Sequence, residues 1–212
     1  MPILLDTRTP LEWSDRTLCL VPTERERRVL CRCDSRFESA QVIGFGLVEA
    51  MIGTLRVLDT LATKPPDQVL LLGIAGSMDS KRWVPGHAYR FGQVDVDGIG
   101  VGQAGDFRSD VDLGWREAEA TLPTTSHPAS PSHPAILSVA SASANPVEAT
   151  WRQNRFPGFA AEDMETYSVA RLCQSRGIVL SCIRGISNSV GDRDHERWKV
   201  EQALAAVATM IG

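Results

Sequence analysis

The chain has 212 residues, 43% hydrophobic and 23% charged, enough to bury one sizeable core within a single domain. A formal net charge of -4, with arginines scattered among acids, supplies no basic field for nucleic acid or an anionic membrane surface and leaves small-molecule chemistry as the default. No apolar run approaches the roughly 20 residues that span a bilayer, and "MPILLDTRTPLEWSD" lacks a basic stretch followed by a long apolar one, so the expected location is cytoplasmic.

Residues 1–16 read as an N-terminal extension and 17–212 as one domain. "TLCLVP" (17–22) predicts a strand buried on both faces, and "TERERR" (23–28) after it reads as a helix start whose acids favour the N-terminal dipole. Cys31-Arg-Cys33 has the wrong spacing for a redox or zinc pair, and the cysteines are expected to be reduced, buried thiols. "AQVIGFG" (40–46) predicts a second strand. "GFGLVE" (44–49) lacks the third glycine of a dinucleotide fingerprint and reads as a tight strand-to-helix turn. The helix that follows places Val48, Ile52, Leu55, Leu58 and Leu61 on one apolar stripe.

"QVLLLGIAGS" (68–77) predicts a buried strand ending in Gly73 and Gly76, which either let backbone approach a ligand or merely turn the chain. The Pro-, Ser- and Thr-rich segment 121–135 reads as a surface loop, and "AILSVASAS" (135–143) as a strand. "GFAAEDMETYSVARLC" (158–173) predicts the start of an amphipathic helix, with Glu162, Asp163 and Glu165 in its first turn and Val169, Leu172 and Cys173 on one face; Gly177 stops it. "GIVLSCIRGIS" (177–187) is the last predicted strand. Arg184 sits late in it, where an unpaired guanidinium is costly, so it needs an anionic partner. "RWKVEQALAAVATMIG" closes the chain as a helix. This order predicts an α/β fold: one domain with a central mixed, mainly parallel β-sheet flanked by helices.

"GFGLVEA", "LLGIAGS", "EDMET" and "IRGISNSVGDRD", in that order, resemble the nucleoside phosphorylase and nucleosidase superfamily over about residues 17–211. Within it the final third is similar to the futalosine hydrolases, with the methylthioadenosine/S-adenosylhomocysteine nucleosidases as better-known relatives. The resemblance implies that Glu165 holds the ribose 2′ and 3′ hydroxyls while Met164 packs on the sugar face. It implies that Glu26 activates water, with Glu24 as the alternative base, and that Arg184 positions Glu26. Asp163, Ala75, Gly76 and Asn145 are expected beside the substrate, although Glu162 and Asp163 suit a plain helix start equally well.

Departures from the superfamily pattern narrow the chemistry. Phosphorylases bind phosphate through a Gly-Asp-Pro turn and a hydroxyl in the central motif, where this chain has "VPTERE" and Ile74; water is therefore the expected nucleophile. Thr166 replaces a small glycine. Asn188 stands where adenosine-cleaving relatives carry Asp, and its NH2 could donate to N7 and O6 of a 6-oxopurine, hypoxanthine by preference; the competing reading is an Asn that caps the turn "SNSVGD". The expectation is an N-ribosyl hydrolase acting on futalosine or a similar nucleoside, without metal or organic cofactor, as a homo-oligomer that binds neither nucleic acid nor membrane. The alternatives are a methylthioadenosine-type nucleosidase and a nucleoside-binding protein that has lost turnover.

Overall fold

In the computed structural model, which describes residues 13–102, 104–115, 122–124 and 133–211, the strands are β1 (Thr17–Val21), β2 (Gln41–Val42), β3 (Gln68–Ser77), β4 (Ala88–Phe91), β5 (Gln93–Asp97), β6 (Gly100–Val101), β7 (Arg108–Ser109), β8 (Leu122–Pro123), β9 (Ala135–Val139), β10 (Phe159–Asp163) and β11 (Val179–Ser189). The helices are α1 (Glu24–Cys33), α2 (Gly46–Thr60), α3 (Pro146–Arg155), α4 (Thr166–Arg176) and α5 (Val200–Thr209). Most of the expected extension, residues 1–12, and residues 121 and 125–132 of the expected loop lie outside the described residues.

The expected mixed, mainly parallel sheet is observed. β2, β1, β3, β10, β9, β5 and β8 follow one another, while β11 runs along β3 and carries β4 on its far edge. β3 is the hub: "QVLLLGIAGS" pairs parallel with β1 through its first residues, parallel with β11 along its whole length, and antiparallel with β10 at Gly76 and Ser77. Leu70, Leu71 and Leu72 are almost wholly buried, as a strand covered on both faces requires. The ends of β3, β10 and β11 meet, and the site forms there.

Two local expectations are corrected. The stretch from Phe159 to Asp163 is a strand, and α4 begins only at Thr166. "FAAED" pairs with both β9 and β3, so tertiary pairing overrides the helical pattern that continues out of α4. In α2 the predicted stripe is only partly buried: Leu58 lies in the core beside Ala50 and Thr54 and Leu61 packs against it, whereas Val48, Ile52 and Leu55 are 69%, 37% and 37% exposed. Gly53 explains this. A Cβ there would lie 1.9 Å from Ile43 O, so the helix packs by its small-residue face, backbone close to backbone, and turns Val48, Ile52 and Leu55 outward.

Candidate active site

A cavity of about 310 Å³ opens where these strand ends converge, large enough for a nucleoside-sized ligand. Glu26 reaches it from the first turn of α1. Thr23, the N-cap, accepts from Glu26 N at 3.2 Å and donates its hydroxyl to Glu26 Oε2 at 2.6 Å, while Ile74 N donates to Oε1 at 3.0 Å. The Thr-x-x-Glu spacing of a capping box thus fixes a buried carboxylate, and its partner amide comes from β3. Burial raises the Glu26 pKa, against the pull of the Thr23 hydroxyl, Arg184 and the Ile74 amide. Glu24 lies outside the cavity lining and pairs with Arg27 and Arg28, whose hydrogen bonds lower its pKa.

Arg184 is fully buried within β11. Its expected anionic partner exists but is not Glu26: Nη2 meets Asp163 Oδ2 at 2.7 Å and Glu165 Oε2 at 3.5 Å, and donates to Thr166 Oγ1 at 3.1 Å. Gly73 makes room for this arrangement, since a Cβ there would come within 2.1 Å of Arg184 Nη1 and 2.9 Å of Glu26 Oε1. That is what this glycine is for, rather than a turn. Asp163 carries further bonds from Ser138 Oγ at 2.5 Å and Thr166 N at 3.2 Å, and from the Thr166 hydroxyl. Asp163 lines the cavity, and its buried side chain is the nearest anionic partner of Arg184.

Glu165 precedes α4 and points at another helix: its Oε1 accepts from Gly46 N at 3.0 Å, at the start of α2, where the dipole favours a negative charge. Burial pushes its carboxyl up to about 7 despite the nearby Arg184, and the neighbouring Asp163 charge adds to the rise. Met164, Ala75 and Gly76 line the same cavity. Asn188 also lines it, but its Nδ2 donates to Ser189 O at 2.8 Å and Asp192 O at 3.3 Å. Asn145 is not part of the lining: it is the N-cap of α3, accepting from Val147 N and Glu148 N and donating to Glu148.

Glu162, which the sequence left between a helix start and substrate contact, lines the cavity, and several other lining residues were unassigned. Glu162 bonds Arg152 Nη1 at 2.9 Å and both the amide and hydroxyl of Ser143. Phe45, from the turn before α2, and Ser187, Arg193, His195 and Trp198, after the middle of β11, complete the wall. The sequence signal for the last group is the polar run "SNSVGDRDHERW".

Residues 135–211, from β9 to the end of α5, match the model of the Phosphorylase superfamily. The chain is similar to a futalosine hydrolase of Streptomyces coelicolor, 28% identical over 183 residues covering 80% of this chain and 77% of that protein. It is similar to a futalosine hydrolase of Acidothermus cellulolyticus at 36% over 69 residues, 32% of this chain and 28% of that protein. The native futalosine hydrolase of Helicobacter pylori superposes with a TM-score of 0.70 at 16% identity, covering 92% of this chain and 94% of that one. A Helicobacter pylori 5′-methylthioadenosine/S-adenosylhomocysteine nucleosidase bound to butyl-thio-DADMe-Immucillin-A gives 0.68 at 17% identity, covering 92% and 94%. The matched segment, about a third of the chain, holds both the Glu162–Glu165 and the Arg184–Asn188 parts of the cavity, and the fold agrees with that of the Helicobacter pylori nucleosidases along nearly the whole chain.

Proposed function

We propose that the protein hydrolyses the N-glycosidic bond of a purine nucleoside, futalosine being the favoured substrate because the sequence relative that covers 80% of the chain is a futalosine hydrolase. The observation that carries this reading is Glu26: a buried carboxylate fixed by Thr23 and Ile74 at the wall of a cavity that a second buried carboxylate, Glu165, also lines. Glu26 orients a water molecule and takes its proton as the anomeric carbon becomes oxocarbenium-like. Glu165 accepts from the ribose 2′ and 3′ hydroxyls and, once ionised, favours the positive charge on the ring, while Met164 packs against the sugar.

Arg184 acts through others. Bound to Asp163, it holds positive charge beneath both catalytic-side acids and tempers the rise in their pKa values. The apolar Ile74 side chain and the acidic "TERE" turn give phosphate no cationic cradle, which supports water as the nucleophile.

The reading includes a homo-oligomer in the cytoplasm. Phe45 at the cavity rim continues along α2 into the exposed Val48, Ile52 and Leu55, an apolar strip that a second copy would cover. The five cysteines are all unpaired, which suits a reducing compartment; Cys19, Cys173 and Cys182 are buried as expected, whereas Cys31 is half-buried and Cys33 exposed at the end of α1, and no helix among the described residues is long and apolar enough to cross a membrane. The test of the activity is a panel of futalosine, inosine and 5′-methylthioadenosine in phosphate-free buffer, with released base followed by chromatography. Hypoxanthine from futalosine at the highest kcat/KM is the expected result; adenine release alone would move the assignment to a methylthioadenosine-type nucleosidase.

A further inference from the structure

The side-chain amide of Asn188 is spent within its own turn. Both of its N–H groups face carbonyls, Ser189 O and Asp192 O, and its Oδ1 accepts from Ser187 Oγ at 2.7 Å. The flipped amide would set an oxygen against two carbonyl oxygens, so the turn itself fixes the orientation. Asn188 shapes the loop and has no donor left for a purine edge.

Two charged side chains in the same cavity are better placed. Glu162 and Arg193 grip Ser143 from opposite ends: Ser143 N and Oγ donate to Glu162 Oε1 at 2.9 Å and Oε2 at 3.0 Å, and Ser143 O accepts from Arg193 Nε at 2.9 Å and Nη2 at 2.6 Å. Arg193 is therefore held in place although exposed, with its guanidinium 5.8 Å from the centre of the Trp198 ring. The grip uses two of its five N–H donors. Glu162 Oε1 takes one bond and keeps a second lone pair for a ligand.

The register of Glu162 against β3 also suits a base. Glu26 is tied to Ile74, whereas Glu162 pairs across strands with Gly76, two residues farther on, about 7 Å at strand rise. Water attacking from Glu26 displaces the base on the opposite face of the sugar. A nucleoside whose anomeric carbon faces Glu26 thus projects its base toward Glu162 and Arg193.

Given the nucleosidase reading, we infer that Arg193 and Glu162 are the base-discriminating pair: Arg193 donates to O6 and N7 of a 6-oxopurine, and Glu162 accepts from its N1–H. A guanidinium on the O6 and N7 acceptors is the commonest specific contact to such an edge. A 6-aminopurine presents the inverse pattern, an amino donor toward the cation and an N1 acceptor toward the carboxylate. Arg193 also meets the negative charge that gathers on the departing base, so it serves turnover as well as choice.

The test is calorimetric binding of free hypoxanthine and free adenine to the unmodified protein, Arg193→Gln and Asn188→Ala. Hypoxanthine should bind the unmodified protein more tightly than adenine. Arg193→Gln should lose about tenfold or more for hypoxanthine, the scale of one bidentate base contact, and stay within about twofold for adenine. An equal fall for both bases, no fall for either, or a change of preference in Asn188→Ala but not in Arg193→Gln would overturn the inference. The nucleosidase reading is judged separately, by hypoxanthine release from futalosine by the unmodified protein. Release with an unaltered base preference in Arg193→Gln sinks the pair alone; absence of release sinks the reading beneath it.

Discussion

Glu26→Gln changes the charge of one buried group and leaves its shape. Glutamine keeps the Ile74 bond through its carbonyl oxygen and turns its NH2 toward Thr23, whose hydroxyl can rotate to accept. Stability should not suffer. Burial raises the folded pKa of Glu26 above the ordinary value of 4.5, so the stability it contributes is complete below 4.5 and is lost as pH rises through the folded value. Glutamine undergoes no such loss, and the Tm of the variant relative to the parent should climb with pH. Turnover moves the other way: without a base, the rate should fall about 100- to 10,000-fold, or about 3–5 kcal/mol of barrier. The assay is the initial rate of hypoxanthine release from futalosine, with nucleoside affinity measured separately by calorimetry. A Gln variant within about tenfold of parental activity would refute the role of Glu26, and an inactive Glu24→Gln beside it would move the base to Glu24.

Gly73→Ala should destabilise by about 1–3 kcal/mol and depress kcat, because the new Cβ overlaps Arg184 and crowds Glu26; unaltered urea unfolding and kcat would contradict that packing. Asp163→Asn strips the fully buried Arg184 of its nearest anion and should cost about 3–5 kcal/mol in denaturant unfolding. Glu165, with a pKa near 7, must be ionised to accept from both hydroxyls, so kcat/KM should rise with pH through about 7, and Glu165→Gln should lose that limb. The same shift, upward from 4.5, means that the stability from Glu165 is present below 4.5 and disappears as pH passes about 7; the Tm of the empty protein should carry that decline, and an undiminished decline in Glu165→Gln would count against it.

The parts of the fold that were legible in the sequence are those where one physical demand acts alone. The unbroken apolar run of β3 permits little but a strand covered on both faces, and a guanidinium in β11 demanded an anion wherever the chain could supply one. The identity of that anion was hidden, because "FAAED" runs straight into α4 without a turn residue and its acids resemble a helix start. In α2 the large side chains announced a core face, but the close approach at Gly53 chose the small ones over Val48, Ile52 and Leu55, a choice visible only once Ile43 is in place. Asn188 lines the cavity, yet whether its amide faces ligand or turn depends on where the Ser189 and Asp192 carbonyls fall. Thr23 could have been found from its spacing to Glu26; the polar run that carries Arg193 was visible too, but not its tie to Ser143, which spans 50 residues.

The central claim is that water, activated at Glu26, is the nucleophile. Futalosine should be incubated with the protein in phosphate-free buffer and again with phosphate in excess, and both products quantified by mass spectrometry. The account predicts the same rate of hypoxanthine release in both and an unphosphorylated sugar product. A rate that depends on phosphate, with sugar 1-phosphate formed in equal amount to the base, would contradict it.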